Sequence, residues 1–428
     1  MENLGKEMYG WAVDLFPINR SLTGDGVRQT LQYIKNIIPE MEINEVPSGT
    51  KCFDWTVPQE WNCDDGYILD PDGNKICDFK MNNLHVVGYS TPIDKEVDLE
   101  ELKEHLYWIE DQPTAIPYIT SYYSPRWGFC LSFNAFKKLK KGTYKVKINS
   151  ELIDGSLTYG EVKLSGESAK EIFLSTYVCH PSMANNELSG PVVTTALIKF
   201  IKSLKDRKYS YRIVFIPETI GSITYLSLHH DYMKKNIISG FNVSCVGDER
   251  AYSYLPSRNG KTLSDSVAKH VLKHTDSNFK SYSWLDRGSD ERQYCAPGID
   301  LPIASIMRTK YGQYPEYHTS LDDLENVVTP NGLDGGYWAL RRAIEAVEKN
   351  KKYHVTVFCE PQMGKRGLYP TLSTKKSGEE VKLMMDLISL CDGKTFLLEV
   401  AESLNTPIWE LYELIETLVS HNLLELNE

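Results

Sequence analysis

Apolar runs of strand length alternate with apolar-periodic helices along the middle of the chain. KEIFLSTYVC reads as a buried strand, and PVVTTALIKFIKSLK repeats apolar residues at helical spacing. YRIVFI, FNVSCV and LPIASIM read as further buried strands. Helices are predicted over TYLSLHHDYMKKN, SDSVAKHVLKH and GYWALRRAIEAVEKN. Alternation of this kind, with β-branched strands, predicts a parallel or mixed sheet covered on both faces. Residues 1–40 read as two helices without strands of their own, so they are expected to pack on that sheet.

Two stretches break the pattern. From about 60 to 150, DDGYILDPDGNK has turn chemistry, and YITSYY, FCLSF and TYKVKI run in strand fashion. A β-rich insertion is expected there. Near the C terminus, Thr406 can cap a helix that begins at Pro407, with apolar residues at Ile408, Leu411, Tyr412, Ile415 and Leu418 on one face. With AESLNTP as the preceding turn, this predicts a helix-turn-helix or winged-helix unit. The expected division is an α/β domain from 1–45 and 150–355, an insertion from 46–149, and a winged-helix-like tail from 356–428.

Charge alters the reading of the tail. The chain carries −11, and from Gly378 onward there are eleven Asp or Glu against two Lys or Arg. Phosphate binding needs basic residues, so no nucleic-acid partner is expected. The tail is expected instead to dock on a second copy or on another protein. Nine cysteines lie scattered with no CxxC pair, which fits reduced thiols better than a disulfide framework or a zinc ribbon. The first residues lack a signal-peptide pattern and no apolar run approaches membrane-spanning length, so a cytoplasmic location without membrane attachment is expected.

Four polar residues follow predicted strands: His180, Glu218, Asp248 and His318. Strand C-terminal ends are where open α/β sheets build ligand sites. Two histidines and an aspartate suit zinc, and a glutamate beside them suits a general base. The expected metal ligands are thus His180, Asp248 and His318, with Glu218 as base. Asp290 and Glu291 are candidates for binding a substrate ammonium, or form a solvated acidic turn. Asp322 and Asp323 either orient His318 or charge a helix start. Arg20 either reaches a substrate carboxylate or, as favoured, lies in a surface turn; Cys179 is expected on the opposite strand face from His180, in the core, and His229 and His230 in a helix away from any metal. Arg126 and Trp127 either roof the pocket or stack at a domain interface.

The segment HPSMANNELSG (180–190) resembles the first metal motif of the co-catalytic zinc aminopeptidases, a strand-end His followed by Asp-Asn-x-Ser-Gly whose Asp bridges two metals. PETIGS (217–222) resembles that family's Glu-Glu-x-Gly segment, YHTSLDD its final His segment, and GSDERQY (288–294) the loop before the last strand. The order of motifs is most similar to a bacterial group of aminopeptidase-like proteins with an inserted domain and a C-terminal winged helix. The resemblance implies a zinc-aminopeptidase-like α/β/α sandwich and a metal-dependent amidohydrolase or aminopeptidase acting on a small peptide or aminoacyl conjugate. Asn186 stands at the bridging position, Glu187 where the family has Asn, and Thr219 where a second Glu would ligate. Two dications need carboxylates between them, so one zinc is expected and a second is not. The alternative is a non-catalytic metal- or ligand-binding scaffold that retains the fold.

Overall fold

In a computed structural model that describes residues 4–368 and 375–427, the run from Glu171 to Tyr177 is buried at every position. Burial on both faces follows from its place in an eight-stranded mixed sheet. The strand order is Glu42–Pro47, Ser156–Leu164, Tyr209–Ile216, Ser168–Tyr177, Ile237–Asn242, Ile303–Met307, Ser253–Leu255 and Lys280–Ser281. The four strands from Tyr209–Ile216 to Ile303–Met307 run parallel, and antiparallel pairs flank them on either side.

Alternation along each strand separates two cores. Ile172, Leu174, Ile213 and Phe215 face one side. There they meet Met8, Leu31, Leu197, Val271 and Val347 of the helices Leu4–Leu15, Asp25–Ile37, Ser189–Ser203, Leu263–Thr275 and Pro330–Lys349. The N-terminal helices therefore lie on this sheet, as their lack of strands predicted. Phe173, Val214 and Ile216 face the other side, against Ile223 and Leu226 of helix Ile220–Asn236 and against Trp61 and Tyr144 of the insertion.

The chain leaves the sheet after Pro47 and returns at Ser156, which pair with each other. Strand pairing thus sets the insertion a few residues later at both ends than composition suggested. Its sheet is antiparallel, in the order Lys75–Asp78, Glu60–Leu69, Thr143–Ile153, Ile93–Asp98. Of the other expected strands, FCLSF supplies only Phe129–Cys130, and YITSYY is irregular. The backbone of YITSYY is engaged elsewhere: the Tyr118 N–H donates to the His318 carbonyl at 2.9 Å, beside a bridge between Pro117 and Thr319.

The tail forms a three-stranded sheet, Asp392–Phe396, Lys352–Val355 and Leu424–Asn427, with helices Lys375–Leu390, Leu397–Ser403 and Tyr412–Ser420. Its first strand, Lys352–Val355, precedes the expected start at 356. The helix expected from Pro407 is instead a short 3₁₀ turn, Ile408–Glu410, before Tyr412–Ser420, with Pro407 left extended. Leu398, Ile408 and Leu418 are continuous with the α/β core. No helix among the described residues is long and apolar enough to cross a membrane.

His270 latches the tail to the α/β domain. The Ile408 N–H donates to its Nε2 at 2.9 Å, which makes that nitrogen the acceptor, so Nδ1 carries the proton that Glu402 receives at 2.5 Å. Burial lowers the His270 pKa against the opposing pull of Glu402. The folded protein therefore prefers the neutral ring, and the contribution is complete above the ordinary histidine value of about 6.5 and lost as pH falls below it. His270→Gln retains an acceptor for Ile408 without a titrating ring. Thermal melts from pH 7.5 to 5.5 are expected to show a smaller loss of Tm in that variant than in the wild type.

Candidate active site

The floor of the site is a buried charge network. The π-helical turn Ala184–Leu188 directs Glu187 inward, where its Oε2 meets His180 Nδ1 at 3.0 Å and its Oε1 lies 3.4 Å from Arg20 Nε. Gly190, just beyond, is required by close packing: a Cβ there would come within 2.4 Å of Thr176 Oγ1 and 2.5 Å of the Val243 carbonyl. Arg20 is 1 % exposed and also donates to the backbone carbonyls of His180 at 3.0 Å and Leu15 at 2.7 Å. It is thus a buried brace and not the surface turn expected of it. Burial opposes charge on His180, but Cys179 and Glu187 raise its pKa. With Nδ1 committed to Glu187, Nε2 is the nitrogen that faces Glu218, 3.6 Å from its Oε2. A carboxylate behind a histidine fixes the ring and makes the opposite nitrogen a better ligand or base.

Glu218 is aimed by the residue after it. Thr219 has φ 62°, a strained value for a β-branched residue. Two contacts hold it there. Its N–H donates to Asp290 Oδ1 at 2.7 Å, and its Oγ1 accepts from Arg292 Nη2 at 2.8 Å. Burial raises the Glu218 pKa, partly offset by His180 and Ser289. Asp290 is pushed up to about 7 by burial and the Glu218 charge. Cys179, placed by its sequence position on the far face, instead lines the pocket, with Sγ accepting from the Glu218 N–H at 3.2 Å and lying 3.4 Å from His180 Nδ1. Burial pushes its thiol up to about 11.

His318 closes the site from the other side. Its ring centre lies 5.5 Å from that of His180, its φ is 57°, and Tyr317 stacks on it at 3.9 Å. Burial and the His180 charge push its pKa down to about 3, and its Nε2 is buried without a partner. The Tyr118 and Ser320 bonds to the insertion hold this loop. Above lies a pocket of about 330 Å³ walled by Trp55, Tyr118, Thr120, Tyr122 and Tyr123 of the insertion together with Leu22 and Ile220. The Tyr118 and Tyr122 hydroxyls bond each other at 2.7 Å. Arg126 and Trp127 lie apart from this wall, with Arg126 over Tyr107 and Trp127 stacked on His105.

Several expected site residues are engaged elsewhere. The Asp248 carboxylate accepts four bonds, from Asn185 Nδ2 at 3.1 Å, Thr309 N at 2.8 Å, Thr309 Oγ1 at 2.6 Å and Arg250 N at 2.8 Å. All its lone pairs are used, so it is a structural brace. Glu291 accepts from Gly288 N, Ser289 N, Tyr311 Oη and Asn242 Nδ2, and Asp290 holds Thr219 and Ser222. Neither lines the pocket. Asp322 does not orient His318; it receives the Asn185 and Asn186 N–H groups at 2.7 and 2.9 Å.

Among the described residues, two groups bring three donor side chains within 4.8 Å: Cys179, His180 and Glu187, and His270, His274 and Glu402. The first would take a cation only at the expense of the His180–Glu187 bond and beside Arg20. The second has both His270 nitrogens engaged. His180 and His318 fit an ion better. Imidazoles sharing a zinc through Nε2 at about 2.0–2.1 Å have ring centres roughly 5–6 Å apart, which the observed 5.5 Å matches. Asn186 donates to the Tyr177 hydroxyl at 2.7 Å and Thr219 offers no second carboxylate, so the floor lacks the bridging anions that two dications need.

Removing Arg20 leaves the buried Glu187 with His180 as its one charged partner and takes away the brace on the His180 and Leu15 carbonyls, so Arg20→Met is expected to lower stability in urea unfolding by about 3 kcal/mol. Asp248→Asn is expected to lower stability by about 1–3 kcal/mol while bound zinc, measured by elemental analysis, stays unchanged.

Residues 9–350 match the family described as a domain of unknown function, DUF4910, and residues 351–426 match a winged helix-turn-helix family. A Clostridium acetobutylicum protein is 45 % identical over 402 residues, covering 93 % of this chain and 91 % of its own. It carries the provisional description of polysaccharide biosynthesis protein with aminopeptidase-like domain. A crystal structure from the same organism, provisionally described as a peptidase, superimposes with TM-score 0.93 at 43 % identity over 99 % of this chain and 97 % of that one. The zinc aminopeptidase of Bacillus subtilis shares the fold alone, at TM-score 0.57 and 11 % identity over 80 % of this chain and 94 % of that one. The chain therefore belongs to the DUF4910 family, a mixed α/β fold of the zinc-aminopeptidase kind that ends in a winged helix.

Proposed function

We propose that this chain hydrolyses an amide bond in a small substrate with the help of one zinc ion. The observation that carries the reading is the pairing of a half-buried Glu218, 3.6 Å from His180 Nε2, with a neighbouring His318 whose Nε2 has no partner. His180 and His318 would hold the ion, which when bound polarises a carbonyl and acidifies water. Glu218, raised by burial, accepts a proton from water and returns it to the leaving nitrogen. Glu187 and Arg20 keep the His180 ring oriented while this happens. Support also comes from the peptidase-like names of the relatives and from the polysaccharide-biosynthesis description of one of them.

A second reading is a ligand-binding protein without turnover. It is favoured by the neutral Asn186 and Thr219 and by the saturated Asp248, which leave few anions at the floor.

The two readings separate on Glu218→Gln. Under the hydrolase reading, release of free amine from a panel of small amides falls by about 10²–10⁴-fold in the variant, while bound zinc is retained. Equal and negligible release by both proteins supports the binding reading.

A further inference from the structure

We propose that the substrate is an N-acylated amino sugar, an uncharged amide on a sugar ring, and not the free N terminus of a peptide. This rests on the hydrolase reading above and narrows it.

An aminopeptidase substrate brings an α-ammonium, which needs a carboxylate of its own. Glu218 is the one carboxylate in the pocket wall, and it is needed as base. Neither of the two acids that could have supplied a second lines the pocket. Glu291 has both oxygens bonded, and Asp290 holds the Thr219 turn through Oδ1, with its Oδ2 buried and without a partner. The wall contains no Lys or Arg, and its cationic groups, His180 and the ion, are engaged at the floor, so a substrate carboxylate or phosphate finds no partner on the outer wall. What enters is therefore neutral.

Its shape follows from the roof. Trp55, on the short hairpin strand Trp55–Thr56, and Tyr123, in a turn, meet edge to face at 5.8 Å. They remain 39 % and 59 % exposed at the mouth of the pocket. Sugar rings present a flat C–H face to such surfaces and hydroxyls at their edges. Thr120 and the Tyr118–Tyr122 hydroxyl pair line the same wall and can exchange hydrogen bonds with those edges. A cavity of about 330 Å³ has room for one hexose ring with a short acyl group, which places the amide beside Glu218. The reaction is balanced with water alone. The oxygen of water bonds to the acyl carbon, the C–N bond breaks, and the proton taken by Glu218 goes to the nitrogen. The products are a free amino sugar and a carboxylate.

Saturation-transfer NMR on the full-length zinc-loaded protein tests the ligand, with the methyl glycosides of N-acetylglucosamine and N-acetylgalactosamine as probes and leucinamide and methyl glucoside as comparisons. Acetate and amine release are followed on the same samples. Binding of either acetamido sugar, with signals at least fivefold above both comparisons, supports the proposal, as does its loss in the surface variants Trp55→Ala and Tyr123→Ala. Preferential binding of leucinamide, or no binding of either acetamido sugar, overturns it. The hydrolase reading stands or falls separately. Amine release from leucine anilide without sugar binding keeps that reading and removes the sugar, whereas sugar binding with no release from any amide removes the hydrolase and keeps the ligand class.

Discussion

The buried ion pair between Arg20 and Glu187 is the constraint from which the rest of the site takes its geometry. Two charges so deep in a protein cost free energy that their attraction and their hydrogen bonds must offset. Arg20 joins three places in the chain, the end of the first helix at Leu15, the strand end at His180 and the turn that carries Glu187, while its Nη2 and Glu187 Oε1 are left without a hydrogen bond. Glu187 directs its charge onto the rear nitrogen of His180 and into Arg20. An anion that would sit between two metals if it stood one residue earlier is thereby moved behind the histidine. The pocket loses a bridging carboxylate and gains a rigid imidazole whose other nitrogen is free to act.

The insertion completes what the sheet begins. Its backbone is bonded to the His318 loop, and its aromatic side chains wall the space above Glu218. The pocket wall and the His318 loop are therefore joined through one segment, residues 116–123. Strained backbone at Thr219 and His318 marks the two sides of the same floor, each over-determined by neighbouring bonds. The winged helix belongs to the stability of the α/β domain, since its apolar face joins the same core and His270 receives one of its backbone N–H groups.

Hydrophobic periodicity made the sandwich legible, because buried parallel strands and amphipathic helices leave strong local patterns. His180, Glu218 and His318 were legible for the same reason, standing just past strand ends. Asp248 stood at a strand end as well, but nothing local reveals that Asn185, Arg250 and Thr309 consume its lone pairs. Asp290 and Glu291 misled in the same way. Cys179 was assigned to the core and is buried there, but the strand ends at Tyr177 and alternation ends with it, so its thiol also lines the pocket. Arg20 and Tyr118 act through partners 160 or more residues away. No local rule reports such contacts, although a buried anion at Glu187 in place of a neutral residue implied a cation somewhere.

The central claim is that the relocated charge leaves room for one metal ion held by His180 and His318. Anomalous diffraction at the zinc edge, on crystals of protein saturated with zinc, tests it most directly. A single full-occupancy peak within bonding distance of both imidazoles is the expected result. Two full peaks at the floor, or one peak coordinated by Asp248, would contradict the account.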